Sequence, residues 1–262
     1  MPKIINCELS SDIDELYLYV ISDVHIGSKQ FDEKQFKKLI SEIENTQNSI
    51  VILNGDIMDT GIIGSKTDPF SQEMSPSEQL RTAAELLKPI KHKIKVVTSG
   101  NHEQRVSKLV NYDISELLCV ELFGRKKTDE IYSPSAYLFF VEFGRNQGRN
   151  CRKTIYSIYG MHGTGGGSTV SSKIGRLEKM GRLINADVLI HSHTHVLACF
   201  KDTFTTVDYK NKKATTKTSL FINSNAFLLP GGYGEALGLK PCTTEYPKII
   251  LNGHHREVTA VL

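Results

Sequence analysis

The chain reads LYLYVISDVH over residues 16–25. Residues 16–21 are all apolar or aromatic, which is typical of a buried β-strand. The strand runs straight into Asp23 and His25, so a carboxylate and an imidazole follow at its end. The same order, an apolar run and then polar side chains that bind metals, recurs along the chain.

Five strand or loop ends each carry one or two side chains of this kind. They are Asp23 and His25, then Asp56, then Asn101 and His102, then His162, and finally His193 and His195. A lone aspartate or histidine after a strand is usually a turn residue or a satisfied polar group. Five such ends in one chain are hard to obtain by accident, so we predict that they meet in one site.

The spacing predicts how the ligands divide between ions. Side chains at positions i and i+2 of an extended segment point to the same side, so Asp23 and His25 are expected to bind one ion together. His193 and His195 are expected to do the same, or to reach two adjacent ions. Asp56 ends the next strand and is expected to bridge both ions with its two oxygens.

The donor set holds imidazoles, carboxylates and one amide, with no thiolate. Such a set suits Mn²⁺, Zn²⁺ or iron better than Ca²⁺, which prefers cages of oxygen. Mn²⁺ is the first choice of metal, and Zn²⁺, iron, Ni²⁺ and Mg²⁺ are alternatives. Two ions about 3.5–4 Å apart activate a water and hold phosphoryl oxygens during displacement. Two divalent metal ions held by these residues would therefore suit hydrolysis of a phosphoester.

Apolar runs and helical stretches alternate along the chain. Strands are predicted over residues 16–21, 50–53, 94–97 and 187–190, hairpins over 136–159, 196–223 and 248–262, and helices over 31–44, 75–90, 106–123 and 171–184. Ser75, Pro76 and Glu78 predict a capping box with proline in the first turn. A strand–helix–strand first half and a mostly antiparallel second half favour an α/β fold of two sheets covered by outer helices. The length predicts a single domain over residues 1–262.

Composition and charge exclude several classes of protein. The formal net charge of +3 is too close to balance to indicate nucleic-acid binding by itself. Basic clusters at residues 88–95, 145–153 and 210–213 are interpreted as solvated loops, with contact to a polyanion as the alternative. Five scattered cysteines without a CxxC pair argue against a disulfide framework or a thiolate zinc site. No secretory signal or membrane span is visible, so the chain is expected in the cytoplasm, away from membranes.

Five short motifs carry a resemblance to a known family. They are Asp23-Val24-His25, Gly55-Asp56-Ile57-Met58-Asp59, Gly100-Asn101-His102-Glu103, Met161-His162-Gly163 and His193-Thr194-His195. In content and order the series resembles that of the calcineurin-like metallophosphoesterases, in particular their compact bacterial or phage members. The resemblance spans residues 23–195. It implies an αββα four-layer sandwich, with two mixed β-sheets flanked by helices and a dimetal site at the carboxyl ends of the strands.

The resemblance also implies a role for each motif residue. It assigns Asp23, His25, Asp56 and His195 to one metal ion, and Asp56, Asn101, His162 and His193 to the other. His102 resembles the family's catalytic histidine, and Asp59 the carboxylate that orients it, as carboxylates commonly do for imidazoles. The family usually has glycine before its final His-x-His, where this chain has Ser192, and little change is expected from that difference. The family needs only the last two histidines of this run, so His191 is interpreted as a structural residue or as a partner of a metal ligand.

Residues near these motifs are candidates for substrate contact. Arg105 is either a phosphate ligand or a surface arginine of a helix. Gly165 and Gly166 lie in a glycine-rich run whose backbone N–H groups can cradle a phosphate, with a flexible rim loop as the alternative. Tyr233 lies in a second glycine-rich loop and is either a stacking partner for a base or part of a plain turn.

The function expected first is hydrolysis of a phosphodiester, in a nucleotide or a nucleic acid, by a metal-activated water. The form of the third motif also occurs in serine/threonine protein phosphatases, so a phosphomonoesterase is the alternative. A non-catalytic metal-binding scaffold is a third interpretation, disfavoured because every motif position is filled, including His102. The sequence leaves the native metal, the physiological substrate, the pathway and the oligomeric state open.

Overall fold

The computed structural model describes residues 1–63, 65, 69–144, 153–167, 169–231, 235, 241–243 and 245–262. Its helices are α1 Glu33–Asn45, α2 Pro76–Leu87, α3 Asn101–Val110, α4 Ile114–Phe123, α5 Arg125–Ile131 and α6 Val170–Met180. Its strands are β1 Lys3–Leu9, β2 Glu15–Ile21, β3 Ser49–Asn54, β4 Ile94–Thr98, β5 Tyr132–Ser133, β6 Ala136–Phe143, β7 Thr154–Met161, β8 Val188–His191, β9 Ala198–Asp208, β10 Lys213–Asn223, β11 Lys248–Asn252 and β12 Val258–Val261.

The strands form two mixed sheets, as the sequence predicts. The first sheet has the order β12-β11-β2-β3-β4-β5, and in it β2, β3 and β4 run parallel to one another. The second sheet has the order β1-β6-β7-β8-β10-β9. The predicted hairpins β6–β7, β9–β10 and β11–β12 are confirmed. The second half is less antiparallel than expected, because β8 pairs in parallel with both β7 and β10.

The two sheets pack face to face, and helices cover their outer faces. Leu18, Ile52 and Phe139 are fully buried between the sheets. Helices α1, α2 and α4 cover the first sheet, where Phe36 of α1 is buried, and Leu177 of α6 is buried against the second sheet. Burial of each such side chain stabilises the fold by roughly 1.5–3 kcal/mol. The order of layers is therefore helix, sheet, sheet, helix, as expected for an αββα sandwich.

One predicted helix is wrong in its bounds. The helix expected over residues 106–123 is two helices, α3 and α4, and α3 already begins at Asn101. Asn111 ends α3 with a left-handed φ of 52°, a conformation that asparagine tolerates better than most residues. Strands β1 and β5 and helix α5 were not predicted. In β1 only Ile5 is buried, so its apolar pattern is weak.

Local polar contacts confirm one prediction and correct another. The capping box is present, because Ser75 Oγ accepts the N–H of Glu78 and Glu78 Oε2 accepts the N–H of Ser75. In the basic cluster at residues 88–95, Lys93 is not merely solvated. Its Nζ donates to the carbonyl oxygens of Ile43 and Thr46 at 2.6 and 2.7 Å, which satisfies the end of α1. Residues 145–152 of the second basic cluster lie outside the described residues. Among the helices that the structure describes, none is long and apolar enough to span a membrane.

Candidate functional site

The motif residues collect where the carboxyl ends of the two sheets meet. Asp23 and His25 follow β2, Asp56 follows β3, Asn101 and His102 follow β4, His162 follows β7, and His193 and His195 follow β8. Backbone hydrogen bonds join the first two of these loops, since the N–H of Asp23 donates to the carbonyl oxygen of Gly55 at 3.1 Å. The structure thus brings together the five strand or loop ends that were identified from the sequence.

The i and i+2 interpretation assumed that the paired ligand candidates lie on extended backbone, but they do not. Asp23, His25, Asp56, His193 and His195 all have positive φ, between 50° and 69°. Left-handed turns beyond the strands, rather than strand alternation, direct these side chains into the site. Such backbone costs about 1–2 kcal/mol for each L residue and persists where the surrounding structure fixes it.

The first cluster consists of Asp23, His25 and His195, whose ligand atoms lie within 4.8 Å of one another. His25 Nδ1 lies 3.0 Å from Asp59 Oδ1, so Nδ1 carries the proton and Nε2 offers its lone pair. That Nε2 faces Nε2 of His195 at 3.3 Å. Asp23 Oδ1 lies 3.1 Å from the same His195 nitrogen but makes no hydrogen bond with any residue that the structure describes. One carboxylate oxygen and two ring nitrogens therefore converge.

The second cluster consists of Asp56, His162 and His193, with the same limit of 4.8 Å between ligand atoms. His162 Nδ1 lies 2.8 Å from the carbonyl oxygen of Asn54, which places a proton on Nδ1. His162 Nε2 faces Asp56 Oδ2 at 3.0 Å and Asn101 Oδ1 at 3.1 Å. Both partners are acceptors, so a proton or a metal ion is needed between them and Nε2. Burial opposes the proton, but the charge of Asp56 outweighs it and raises the pKa of His162 to about 10.

Asp56 lies between the two clusters. It groups with His162 and His193 on one side and with His25 and His102 on the other. Its Oδ1 accepts the backbone N–H of His102 at 2.8 Å. Burial opposes ionisation of this carboxyl, but His162 and His102 hold its pKa well below its usual range. A carboxylate in this position is able to face cations in both clusters.

The donor set fits divalent cations. Besides Asp23 Oδ1, His193 Nδ1 is buried without a hydrogen bond to any described residue. A buried polar atom left without a partner costs about 1–3 kcal/mol, and both of these residues belong to the ligand clusters. Imidazoles with carboxylates and one amide match the preferences of Mn²⁺, Zn²⁺ and iron. The clusters therefore have the composition and the unmet polar atoms expected of metal sites.

Asp59 contacts both His102 and His25. His102 Nδ1 lies 3.0 Å from Asp59 Oδ1 and 2.8 Å from the Asp59 carbonyl oxygen, and His25 Nδ1 lies 3.0 Å from the same Oδ1. The sequence predicts the contact with His102 but not the one with His25. Burial acts to raise the pKa of Asp59, but the two histidines outweigh the effect of burial and hold this pKa well below its usual range. Burial lowers the pKa of His102, but Asp56 and Asp59 raise it above its usual value.

Two residues to which the sequence assigned no role support these contacts. Glu103 is fully buried, and its carboxylate accepts the backbone N–H groups of Asp56, Met58 and Gly100 at 2.9–3.0 Å. Burial and the charge of Asp56 raise the pKa of Glu103 to about 7. Gln72 Nε2 donates to Asp59 Oδ2 at 2.7 Å. An acidic residue in the first turn of a helix is a sequence signal for Glu103, whereas no sequence signal places Gln72 here.

His191 has the surroundings of a structural residue. Its Nδ1 lies 2.9 Å from Asn223 Oδ1, and burial lowers its pKa. Gly163 passes so close to the ring that a Cβ at this glycine would lie 2.2 Å from His191 Nε2. Neither cluster described above includes His191.

The candidates for substrate contact have mixed outcomes. The positive charge of Arg105 acts to lower the pKa of His102, the imidazole of the third motif, although the net shift is upward. Gly165 has a φ of 118°, and a Cβ there would lie 2.8 Å from Nε of Arg176 on α6. Arg176 thus lies against the glycine-rich run, a placement that only the tertiary structure reveals. Gly166 is exposed. The candidate Tyr233 lies outside the described residues.

Comparison with known proteins gives the family. The model of the calcineurin-like phosphoesterases matches residues 16–197, which is more than half of the chain. The DNA polymerase II small subunit of Thermoplasma acidophilum is 29% identical over 96 residues, covering 34% of this chain and 20% of the relative. That of Methanocaldococcus jannaschii is 29% identical over 126 residues, covering 38% and 21%. The matches thus span about a fifth of these relatives' length.

The solved structure of GAP50, the anchor in the inner membrane complex of Plasmodium, aligns over 95% of this chain and 84% of its own at 11% identity. Its TM-score of 0.50 shows likeness of fold alone. On the match over residues 16–197, the chain belongs to the calcineurin-like phosphoesterase family.

Proposed function

We propose that this chain hydrolyses phosphodiesters of nucleotides or nucleic acids, and that residues 1–262 act as one metallophosphoesterase domain. The observation that carries the proposal is the position of Asp56, whose carboxylate groups with ligands on either side of it. When bound, two divalent cations, Mn²⁺ by first choice, would activate a water and hold the phosphoryl oxygens. The proposed ligands are Asp23, His25, Asp56 and His195 for one cation and Asp56, Asn101, His162 and His193 for the other.

His102 is proposed as the catalytic residue that acts on the leaving group. Its Nδ1 is held by the carbonyl and carboxylate oxygens of Asp59, so the ring presents Nε2, which lies 3.9 Å from Asp56 Oδ2. Against the effect of burial, Asp56 and Asp59 raise the pKa of His102, which favours the doubly protonated ring. In that ring the proton on Nε2 lies beside the proposed bridging carboxylate, where a leaving oxygen would depart. Asp59 keeps the ring in one tautomer and one orientation.

Contacts with the substrate are proposed around this centre. Arg105 and the backbone N–H groups of Gly165 and Gly166 are proposed to bind phosphate oxygens, and Tyr233 to stack on a base. Arg176 beside Gly165 adds positive charge at the rim, which supports an anionic substrate. The similarity to two DNA polymerase II small subunits supports a nucleic-acid substrate and thus a nuclease. A cytoplasmic location stays a prediction.

Turnover of bis-p-nitrophenyl phosphate and p-nitrophenyl phosphate, each with added Mn²⁺, tests the proposal. We expect the diester to be hydrolysed faster, and a chelator to abolish turnover. Asp56→Asn is expected to lower the metal content and nearly abolish activity, because the variant lacks the negative charge that the two cations would share. Asp202→Asn, which changes an exposed aspartate of β9, is the matched control and should behave as wild type.

Other outcomes separate the alternatives. Faster hydrolysis of the monoester would favour a phosphomonoesterase. Two bound ions without turnover of either ester would favour a non-catalytic scaffold. Two ions retained by Asp56→Asn with wild-type turnover would exclude the bridging role.

A further inference from the structure

Three serine hydroxyls form a line beneath the first ligand cluster. Ser22 Oγ donates to Asp23 Oδ2 at 2.6 Å, Ser22 and Ser224 Oγ are 2.5 Å apart, and Ser224 and Ser192 Oγ are 2.7 Å apart. The line begins at Asn54, whose Nδ2 donates to Ser192 Oγ at 2.6 Å. All five residues are 1% exposed or less. Water therefore does not compete for these hydrogen bonds.

The two ends of the line fix its direction. The Asn54 amide is oriented, because its Nδ2 also donates to the carbonyl oxygen of Met161 at 2.9 Å, which can only accept, while its Oδ1 accepts from the hydroxyl of Tyr137. At the other end the carboxylate of Asp23 can only accept. Each hydroxyl carries one proton, so every serine donates to the next group toward Asp23. A competing acceptor for Ser224, the carbonyl oxygen of His191, lies 3.5 Å away and is too distant to reverse the order.

The line joins the two sheets at the site. Asn54 ends β3, and Ser22 directly follows β2, both in the first sheet. Ser192 directly follows β8, and Ser224 directly follows β10, both in the second sheet. The orientation of the Asp23 carboxylate therefore depends on four strand ends at once.

The line also leaves the two oxygens of Asp23 in different states. Oδ2 accepts from Ser22 and from the backbone N–H of His193 at 3.1 Å. Within the described part of the chain, Oδ1 has no hydrogen-bond partner, and it lies 3.1 Å from His195 Nε2. One oxygen is thus saturated by the protein, and the other is turned into the ligand cluster.

We propose that Ser192 is a positioning residue which, through this line, fixes the Asp23 carboxylate so that Oδ1 alone binds a cation. The inference depends on the proposed function only in taking Asp23 as a metal ligand. Glycine, which the family usually has here, offers no hydroxyl, so it would break the line between Asn54 and Ser224. Serine at this position would then affect metal binding, whereas the sequence led us to expect little change from it.

A calorimetric titration of Mn²⁺ into the metal-free protein tests the role of Ser192. Wild type should bind two ions. Ser192→Ala and Ser192→Gly should each weaken one of the two affinities by about 10–100-fold, the usual effect of losing a group that orients a metal ligand, and leave the other unchanged. The matched control is Ser219→Ala, since Ser219 is equally buried on β10 but donates to the carbonyl oxygen of Ala186. A merely structural role would lower the melting temperature without this selective loss.

Ser22→Ala tests the last link and provides a second variant should Ser192→Ala fail to fold. The same single affinity should fall. The double variant Ser22→Ala, Ser192→Ala should lose no more than Ser22→Ala, because both changes break one line. Unchanged affinities in the serine variants, or additive losses in the double variant, would overturn the inference and leave the proposed function intact. A wild-type protein that binds no Mn²⁺ would overturn both.

Discussion

The Oδ1 oxygen of Asp59 lies 3.0 Å from Nδ1 of His25, a proposed metal ligand. The same oxygen lies 3.0 Å from Nδ1 of His102, the proposed catalytic residue. One carboxylate oxygen therefore sets the proton position of both rings. Removing its charge should disturb metal binding and the chemical step together.

Asp59→Asn tests this double contact. We expect the variant to lose Mn²⁺ affinity by about 10–100-fold, because the His25 tautomer is no longer fixed, and to have a lower kcat at saturating Mn²⁺. Metal titration and steady-state kinetics on the same preparation measure the two effects. A variant that binds Mn²⁺ as tightly as wild type would show that the contact with His25 has no such role.

His102→Ala should lose rate without losing metal. General acid–base help is typically worth about 10²–10⁴-fold, so kcat should fall by roughly that factor on a diester with a poor leaving group. A diester that releases p-nitrophenolate needs less protonation and should lose less. The measurement is kcat on two diesters with different leaving-group pKa, together with metal content. Equal losses on both diesters would argue for charge stabilisation, and a lost ion would make His102 a ligand.

His191→Ala should lower stability more than metal binding. Its Nδ1 faces Asn223 Oδ1 in a buried contact, and loss of one such partner costs about 1–3 kcal/mol. His193→Ala and His195→Ala should instead lose metal and most of the activity. Urea unfolding and metal analysis of the three variants give the comparison. A His191→Ala variant that loses an ion would move the ligand assignment.

Asn111 offers a test of the fold alone. Its φ of 52° suits glycine and asparagine but not alanine. Asn111→Ala should therefore cost about 1 kcal/mol of unfolding free energy, whereas Asn111→Gly should be as stable as wild type or slightly more stable. Urea denaturation of both variants measures the difference. Equal stability of the two would contradict a left-handed end of α3.

The sequence predicts where the site lies better than how its backbone is shaped. Each motif follows an apolar run, and strand ends gather at one edge, so the meeting of Asp56 with His162 was predictable. The left-handed turns at Asp23 and His25 were not, because periodicity carries no information on the sign of φ. The break at Asn111 was missed for the same reason.

Contacts between distant parts of the chain were also beyond prediction. Ser22 meets Ser224, and Ser192 meets Asn54, only because four strands end side by side. Gln72 contacts Asp59 from a position shortly before α2 that no sequence pattern marks. Such partners have no fixed sequence spacing, so they appear only once the topology is known.

The left-handed backbone at the site has a consequence for which amino acids can stand there. Asp23, His25, Asp56, His193 and His195 occupy a region of φ that aspartate, asparagine and histidine enter several-fold more often than other residues with a Cβ. Backbone sterics and coordination chemistry are independent constraints, yet both favour aspartate, asparagine and histidine at these positions. Substitutions among these three residue types leave the turns intact and change only the donor atoms. Glutamate and cysteine also bind metals, but they adopt a positive φ less readily. The backbone of these loops therefore limits which ligands can stand at the five positions, and with them which metal ions the site can bind.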